Sequence, residues 1–422
     1  MTPGHGVLIA APASGCGKTT LTLGILRALS RDFPVRGAKS GPDYIDPRFH
    51  EAACGRPCFN LDAWAMQTAR LRTLAAGNGT EGLIVEGAMG LFDGAPPDGK
   101  GSAADLATVL GIPVVLVIDA SGMGQSAAAM AQGFAAHRAD VHVAGVILNK
   151  VASARHEAML RRHFPEDLPV LGAVPRRPDL AHPSRHLGLV QASERPDLDD
   201  WLDRVADHVA AHVDLTKLPS APLTPSSPWR TKGLPYNRIA VAQDAAFAFA
   251  YPHLLDDWHA AGSHITTFSP LDDQVVPDAD LVILPGGYPE LHAGRLATNM
   301  TFLNTLRNTA QTSDIYGECG GYMTLGETLT DAAGTVHRMA GLLPLETSFA
   351  ARKLHLGYRN LVADQGAFTG QWKAHEFHYA TTLRADGQPL FRASDASDQA
   401  LPDMGLMSGR VSGSFAHVID HA

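Results

Sequence analysis

Residues 317–323 read GECGGYM, follow a short strand-like run at 312–316 and precede what reads as the start of a helix. Cys319 therefore stands between small residues at a strand-to-helix turn. Glycine neighbours let the backbone turn tightly enough to hold a side chain out at the end of a strand. The pattern indicates a cysteine nucleophile whose turn also offers N–H groups to an oxyanion. The alternative at this point is a small buried cysteine in a packed turn.

Two further motifs in the C-terminal half suit such a nucleophile. The apolar run at 281–284 ends in PGGYPE (285–290), and paired glycines there can aim N–H groups at an oxyanion. Near the C-terminus, the segment 409–418 (GRVSGSFAHV) places His417 after a glycine-rich stretch. A cysteine and a histidine can act together as nucleophile and proton carrier. His417 alone is weak evidence, since the chain has 20 histidines.

The N-terminal half opens with a nucleotide-binding pattern. A short apolar strand at 7–11 leads into PASGCGKTT (12–20), and residues 21–29 have helical spacing. This order predicts a loop whose N–H groups hold phosphates, with Lys18 reaching the terminal oxygens and Thr19 binding Mg²⁺. One departure is Pro12, which replaces the usual first glycine. The alternative is a glycine-rich turn without a ligand. The predicted nucleotide-binding residues of this loop are Ser14, Gly15, Gly17, Lys18, Thr19 and Thr20.

Three carboxylates follow strands of the same half. Asp43 and Asp46 lie in the loop after a strand that begins at Val35, close to Lys39, and Glu86 closes the strand at 82–86. Acids at the carboxyl ends of strands face the crevice where open α/β sheets bind ligands. With Mg-ATP placed nearby, we expect them to position metal and phosphoryl group. Taken singly, each could equally be a loop cap or a solvated carboxylate.

Strand–helix alternation continues to about residue 174 and predicts a parallel sheet covered on both faces by helices. Asn149 ends one of these strands, where it is either a nucleobase contact or the cap of the next helix. The loop-rich stretch 175–189 is locally basic. It is either the place that meets a carboxylate-rich substrate or a solvated connector.

The length, charge and composition limit the classes of protein to which the chain can belong. The 422 residues suffice for two or three domains, and the formal charge of −9 gives no general nucleic-acid surface. The four cysteines do not form a disulfide framework, and no apolar run reaches membrane-spanning length, so we expect a cytoplasmic protein. A proline- and serine-rich stretch at 218–228 marks a domain boundary. The predicted parts are an N-terminal P-loop domain (1–215), a linker (216–237) and a C-terminal domain (238–422).

The assembled motifs resemble the cobyrinic or hydrogenobyrinic acid a,c-diamide synthases of cobalamin biosynthesis, over nearly the whole chain. These enzymes join a dethiobiotin-synthetase-like ATPase domain to a class I glutamine amidotransferase domain. The motifs that carry the resemblance are SGCGKTT (14–20), GPDYIDP (41–47), EGAMGLFDG (86–94), RHLGL (185–189), PGGYPE (285–290), GECGGY (317–322) and HEFHY (375–379). The resemblance implies a two-domain α/β fold with a mostly parallel P-loop sheet and a flavodoxin-like C-terminal domain.

The resemblance also implies an activity, namely ATP- and glutamine-dependent amidation of the a and c acetate side chains of a corrin macrocycle, with Mg²⁺. Cys319 would form a glutamyl thioester, His417 would carry protons, and Gly287 and Gly320 would bind the oxyanion. Thr19, Asp46 and Glu86 would bind the metal. Many class I amidotransferases have a Glu two residues after the histidine. Here that position is Ile419, with Asp420 as a possible orienting residue.

The sequence alone does not decide which residues contact the substrate or which tetrapyrrole the substrate is. Candidate contacts are Lys39, Tyr44, Arg185, His186, His375 and His378. Sibling chemistry on another tetrapyrrole, as in cobyric acid synthase or a nickel-sirohydrochlorin diamide synthase, is one alternative. Another is a P-loop switch ATPase with a non-catalytic C-terminal domain. High Ala, Arg and His usage, typical of GC-rich aerobic bacteria, slightly favours a metal-free corrin substrate. A homodimer is the default expectation.

Overall fold

Strands and helices alternate through the N-terminal half of the computed structural model, as the sequence predicts. The structure describes residues 1–180, 184–185, 188–189, 191–225, 229 and 232–422. They divide into two units, Met1–Trp229 and Arg230–Ala422.

Unit 1 contains strands β1 (His5–Ala10), β2 (Val35–Ser40), β3 (Phe59–Leu61), β4 (Gly82–Glu86), β5 (Val114–Asp119), β6 (Val143–Val151), β7 (Val170–Pro175), β8 (Ser184–Arg185), β9 (Gly188–Leu189) and β10 (Ala221–Pro222). Its helices are α1 (Lys18–Ser30), α2 (Asp46–Cys54), α3 (Thr68–Ala76), α4 (Ala103–Leu110), α5 (Ser126–His137), α6 (Ala154–Arg161) and α7 (Leu198–His212). Single 3-10 turns lie at Pro178–Leu180, Ala192–Glu194 and Leu215–Lys217.

The sheet of unit 1 is parallel along the order β3-β2-β4-β1-β5-β6-β7. Strands β1, β4 and β5 are mostly apolar and buried, as expected for a sheet with helices on its faces, whereas the equally buried β2 carries Arg36 and Lys39. Because all these strands run the same way, the loops after β1, β2, β4 and β6 meet at one edge. The predicted P-loop, the predicted carboxylates and Asn149 all belong to that edge.

Helices α1 and α7 cover one face of this sheet. An ideal Cβ on Gly24 would lie 2.5 Å from Val209 Cγ2 and 3.0 Å from Val205 Cγ1, so the two helices approach closely where Gly24 has no side chain. Trp201 of α7 is fully buried in the same core. This packing fixes α1, whose first residue is Lys18, against the body of the unit.

The segment predicted as a linker begins on the sheet of unit 1. Ala221 and Pro222 form β10, which pairs antiparallel with Gly6 and His5 of β1. Leu223 continues this pairing by donating its N–H to the Gly4 carbonyl at 2.7 Å. We therefore propose that the linker starts after Leu223 and not at residue 216.

Unit 2 has a mostly parallel sheet of its own, a four-stranded mixed sheet and a five-stranded antiparallel sheet. Its strands are β11 (Arg238–Ala242), β12 (His264–Phe268), β13 (Leu281–Leu284), β14 (Asp314–Glu318), β15 (Thr328–Thr330), β16 (Val336–Arg338), β17 (Leu345–Ser348), β18 (His355–Ala363), β19 (Gly370–His378), β20 (Thr381–Ala385), β21 (Phe391–Ser394), β22 (Ala400–Met404), β23 (Leu406–Ser408), β24 (Val411–Ser414) and β25 (Ala416–His421). Its helices are α8 (Pro252–Ala260), α9 (Ala293–Thr298), α10 (Met300–Thr309) and α11 (Gly320–Leu325), with a 3-10 turn at Pro289–Leu291.

The main sheet of unit 2 has the order β12-β11-β13-β14-β24-β23, with β23 antiparallel to the rest. The two other sheets follow the orders β16-β15-β17-β20 and β22-β21-β18-β19-β25. The predicted two-domain α/β architecture is confirmed. Among the described residues, the structure shows no helix that combines the length and the apolar character needed to cross a membrane.

Candidate active site

The P-loop of unit 1 lines a cavity of about 720 Å³. Gly15 and Gly17 adopt φ values of 85° and 84°, which glycine tolerates far better than other residues. Lys18 points along the cavity and donates to the Met89 carbonyl oxygen at 2.6 Å. Burial and, after it, the charge of Lys39 lower the pKa of Lys18 to about 8. An anion in the cavity would therefore favour the charged form of Lys18.

The predicted carboxylates come together around a buried lysine. Lys39 Nζ contacts Asp46 Oδ2, lies 2.9 Å from Glu86 Oε1 and is 3.8 Å from Asp43 Oδ2. Burial alone would lower the pKa of Lys39, but these carboxylates outweigh that effect and raise it. Lys39 is thus held inside the protein as the counterion of the acidic cluster, although it was also predicted as a substrate contact.

The two buried acids of this cluster differ in protonation. Burial and the neighbouring charge of Asp43 raise the pKa of Asp46 to about 7. Burial also acts on Glu86, but the charge of Lys39 and a 2.7 Å contact with His50 Nε2 outweigh it and lower the pKa of Glu86. Glu86 is therefore held as a carboxylate, and Asp46 is the group that can take up a proton near neutral pH.

Oxygen ligands suited to Mg²⁺ stand beside the P-loop. Thr19 donates its hydroxyl to Glu86 Oε1 at 2.6 Å, and the Asp46 carboxylate reaches the same Lys39 ammonium as Glu86. Hydroxyl and carboxylate oxygens are the hard donors that Mg²⁺ prefers. The residues predicted as metal ligands therefore fit the ion, with Lys39 as the cation that now balances their charge.

Asn149 supports the P-loop from the end of β6. Its side-chain amide donates to the Cys16 carbonyl at 2.8 Å, and Lys150 Nζ donates to the Gly15 carbonyl at 3.0 Å. Asn149 also lines the cavity, where it was predicted to contact a nucleobase. The alternative prediction, that Asn149 caps the next helix, is wrong because α6 is capped by Ser153, whose side chain accepts from the His156 N–H.

Of the other substrate contacts predicted in unit 1, the structure describes the side chain of one. Tyr44 is buried. His186 lies outside the described residues, and Arg185 belongs to β8, for which the structure describes the backbone and not the side chain. Arg176 and Arg177 of the basic stretch do line the cavity.

Cys319 of unit 2 occupies a strained turn. It lies between β14 and α11 with φ 48° and ψ −100°, a conformation that costs a non-glycine residue about 1–3 kcal/mol. Its N–H donates to the Ser414 carbonyl at 2.8 Å. Burial, followed by the charges of Glu290 and Glu318, raises the pKa of the Cys319 thiol, while the Gly320 N–H opposes the shift. The unliganded cysteine is thus a thiol that needs a base.

Two glycine segments meet beside Cys319. An ideal Cβ on Gly320 would lie 3.0 Å from the Gly287 nitrogen, and the Gly321 N–H donates to the Pro285 carbonyl at 3.1 Å. An ideal Cβ on Gly287 would lie 2.0 Å from the Ala246 carbonyl oxygen, so only glycine fits at this position. The two predicted oxyanion donors, Gly287 and Gly320, are therefore adjacent.

His417 lies next to this pair of glycine segments. β24 pairs with β14, and the chain turns at Phe415 to enter β25, which carries His417. His417 is fully buried, and its Nδ1 lies 3.1 Å from Glu318 Oε1. Glu318 Oε2 accepts the Val418 N–H at 3.0 Å. The histidine predicted from the sequence is thus buried beside the glycine segments, and the carboxylate that faces it comes from the residue before Cys319.

The HEFHY motif lies on β19, next to β25. His375 is directly opposite His417 in the strand register, and burial, followed by the charge of His417, lowers the pKa of His375 to about 3. Glu376 pairs with Arg359 at 2.7 Å and with His378 Nε2 at 2.9 Å. Both predicted histidine contacts are therefore buried, with His375 opposite His417 and His378 stacked on Phe415.

Glu376 and His378 also belong to a group of potential metal ligands. Ligand atoms of His355, Glu376 and His378 lie within 4.8 Å of one another. The rings of His355 and His378 stack in parallel at 4.6 Å, and Arg359 already neutralises the carboxylate. This arrangement is typical of a polar network, and we assign no metal to it.

Three residues of the two sites escaped the sequence analysis. His50 follows Asp46 by four positions on α2, and that helical spacing was a usable signal for a shared face. Glu318 was quoted within its motif without a role. Glu290 was likewise quoted; its Oε2 is shielded from solvent and makes no hydrogen bond within the described part of the chain.

Known protein families match both halves of the chain. Residues 7–190 match the CobQ/CobB/MinD/ParA nucleotide binding domain, and residues 238–422 match the CobB/CobQ-like glutamine amidotransferase domain. Curated relatives match over the whole length. A hydrogenobyrinate a,c-diamide synthase of Brucella suis is 54% identical over 430 residues, which cover 98% of each chain. The enzymes of that name from Rhodobacter capsulatus and Rhizobium meliloti are 53% and 49% identical, and the matches cover 98% and 99% of each chain. The resemblance inferred from the motifs is confirmed.

Proposed function

The chain belongs to the hydrogenobyrinate a,c-diamide synthase family, and we propose that it amidates the a and c acetate carboxylates of hydrogenobyrinic acid. It is a glutamine-dependent amidating ligase of cobalamin biosynthesis with a nucleotide-binding domain. What supports the proposal is that one chain contains a P-loop cavity lined by carboxylates and, in unit 2, a buried Cys319 and a buried His417 on either side of the Gly286–Gly287 segment. The first suits carboxylate activation and the second suits ammonia release.

Ammonia release starts at Cys319. The thiol proton passes to Nε2 of His417 as the sulfur attacks the side-chain carbonyl of glutamine. The N–H groups of Gly287 and Gly320 stabilise the oxyanion, and the proton on His417 moves to the leaving nitrogen. The C–N bond then breaks to give ammonia and a glutamyl thioester, which water hydrolyses to glutamate. The buried, protonated resting thiol is consistent with this order, because the proton must be removed before attack.

Carboxylate activation belongs to unit 1. An oxygen of the substrate carboxylate attacks the γ-phosphorus of ATP, ADP leaves, and ammonia then displaces phosphate from the acyl phosphate and loses a proton. Lys18 and the P-loop N–H groups hold the phosphates, while the cluster of Lys39, Asp46 and Glu86 positions the reacting groups. Thr19, Asp46 and Glu86 would hold Mg²⁺, which when bound offsets phosphate charge.

The choice of substrate rests on the relatives and on charge. A corrin polycarboxylate is an acidic ligand, and Arg176 and Arg177 line the cavity in a chain whose overall charge is negative. We propose the metal-free hydrogenobyrinic acid because the relatives carry that name. A cytoplasmic location and a homodimer are further parts of this proposal.

Incubation of the purified chain with hydrogenobyrinic acid, Mg-ATP and amide-¹⁵N glutamine tests the proposal. We expect mass spectrometry to show two labelled carboxamides per macrocycle, and loss of both in Cys319→Ala unless ammonia is supplied. Faster turnover of cobalt-containing cobyrinic acid would reassign the substrate. ATP hydrolysis indifferent to glutamine and to both corrinoids would overturn the function.

A further inference from the structure

The histidine of the proposed glutaminase site has no carboxylate in the position that class I amidotransferases often use. Two residues after His417 stands Ile419, which is fully buried. We propose that Glu318 is the positioning residue that orients His417 in its place. The inference rests on the proposed function, since it assigns a partner to the proposed base. It concerns a residue that directly precedes the nucleophile along the chain.

The two carboxylate oxygens of Glu318 face different groups, one the ring of His417 and the other the backbone next to it. Oε1 lies 3.1 Å from His417 Nδ1, and Oε2 accepts the Val418 N–H at 3.0 Å. Glu318 ends β14 and His417 lies near the start of β25, so both groups are carried by regular strands. The side chains of both residues are buried, which keeps the interaction out of bulk water. The hydrogen bond from the Val418 N–H fixes Oε2, and this holds Oε1 within ion-pair distance of the imidazole ring.

Other charged groups around His417 have different partners. Glu376 is engaged by Arg359 and His378, and Glu290 acts on the Cys319 thiol. His375 faces His417 from β19, and burial, followed by the charge of His417, lowers the pKa of His375, so that it stays neutral there. Glu318 is thus the acid whose carboxylate the structure places within 3.1 Å of Nδ1. It can stabilise the imidazolium that forms when Cys319 gives up its proton.

The tautomer of His417 follows from this contact. A proton on Nδ1 satisfies Glu318 and leaves the Nε2 lone pair to accept the Cys319 proton. In Glu318→Gln, the amide keeps an acceptor for the Val418 N–H but can turn an N–H donor towards Nδ1. That donor would favour the tautomer with Nε2–H, which cannot accept a proton from sulfur.

Steady-state glutaminase kinetics of Glu318→Gln and Asp420→Asn test the assignment. We expect Glu318→Gln to lower kcat by about 100- to 10,000-fold with KM for glutamine within about threefold, as for loss of the carboxylate in a related triad. Asp420→Asn should stay within about threefold of the parent, because Asp420 Oδ1 accepts the His421 N–H in the structure. Ammonia-supported amidation in the same preparations reports whether the protein is intact. The reverse ranking, or kcat unchanged in Glu318→Gln, would overturn the inference.

A spectroscopic measurement covers the case in which Glu318→Gln does not fold. A ¹⁵N NMR spectrum is recorded on Cys319→Ala protein labelled with ¹⁵N-histidine. The resonances of His417 are assigned as those that disappear when the substitution His417→Gln is added to the same protein. We expect nitrogen shifts of the Nδ1–H tautomer at neutral pH, and the Nε2–H tautomer would refute the role of Glu318. Absence of Cys319-dependent glutaminase in the parent protein would instead remove the proposed function itself.

Discussion

An ideal Cβ on Gly286 would lie 2.2 Å from Cε1 of His417, with both ring nitrogens at 3.1 Å. Real Cβ atoms are not found this close to another heavy atom, so the backbone of the glycine pair and the imidazole ring fit only because residue 286 has no side chain. The glycines of the PGGYPE motif therefore do two separate things. Gly287 contributes to the proposed oxyanion site, and Gly286 makes room for the base.

We expect Gly286→Ala to abolish glutamine-dependent amidation. The methyl group displaces His417, and a misplacement of about 1 Å in a catalytic group costs on the order of 100-fold in rate. Ammonia-supported amidation in unit 1 should persist. Gly294→Ala is the matched control, because its Cβ would meet no heavy atom closer than 3.6 Å and it lies in helix α9. Equal activity of the two variants with glutamine would contradict the steric argument.

The strained turn at Cys319 predicts an unusual stability order. Cys319→Gly relieves the positive φ, whereas Cys319→Ala retains it, so the glycine variant should be more stable by about 1 kcal/mol or more. Both variants lack the nucleophile, which removes any difference due to catalysis. Urea unfolding followed by hydrogen exchange of α11 peptides measures the difference. A less stable glycine variant would show that the backbone strain is not the dominant effect.

The buried lysine of unit 1 predicts a pH-dependent stability loss. Lys39→Met leaves Asp46 and Glu86 without their counterion, and breaking such a buried pair costs about 3–5 kcal/mol. This loss of stability should grow as pH rises through about 7. In the parent protein Asp46 loses its proton in this range beside Lys39, whereas in the variant the same negative charge would have no lysine to balance it. Thermal unfolding at pH 6 and pH 8 measures this trend.

An exposed ion pair provides the control for Lys39→Met. Arg177 pairs with Asp179 at 2.7 Å, with about half of each side chain exposed. Exposed ion pairs are screened by water and contribute little to stability, so Arg177→Met should change the unfolding temperature little at either pH. Similar losses in the two variants would mean that Lys39 is not the counterion on which the cluster depends.

Sequence patterns picked out the sheet edge in each unit where the predicted site residues lie, because the motifs at these edges depend on the local order of residues. A strand followed by SGCGKTT, carboxylates after β2 and β4, and a cysteine after β14 are visible without tertiary information. The partners across these edges were not visible. Lys39 reaches Glu86 because β2 pairs with β4, and Glu318 faces His417 because the chain returns through β24, about 100 residues later. Such pairings depend on strand register, which spacing along the chain does not encode.

The two smaller sheets of unit 2 were also missed. Strands β15 and β16 have only three residues each, too few for alternation to stand out. The longer β19 mixes buried histidines with an exposed Phe377, so its polarity pattern does not resemble a simple half-buried strand. The HEFHY motif was predicted to contact substrate, and the structure places its His375 opposite His417.

Glu290 predicts that unit 2 loses stability as pH rises. Burial raises the pKa of Glu290 from 4.5 to about 7, so the unfolded chain releases this proton first. Stability contributed by the group is complete below pH 4.5 and is lost between pH 4.5 and 7. Glu290→Gln should therefore be more stable than the parent at pH 8, by up to about 3 kcal/mol, and similar at pH 4.5. Asp364→Asn, at an exposed ion pair, should show no such pH-dependent gain in thermal unfolding.

His375 predicts the opposite trend in acid. Its folded-state pKa is lowered from 6.5 to about 3, first by burial and then by the charge of His417, so the unfolded chain binds a proton that the folded chain refuses. Stability is therefore lost as pH falls from 6.5 towards 3, and this one group should remove about 2 kcal/mol by pH 5. Glutamine cannot take up a proton, so His375→Gln should lose correspondingly less stability between pH 7 and pH 5. Hydrogen exchange of peptides from β19 and β25 reports on this region directly, and His264→Gln, at an exposed position of β12, serves as the control. An equal acid response in the parent and His375→Gln would mean that His375 takes up its proton in the folded protein, and that the site around His417 is open to water.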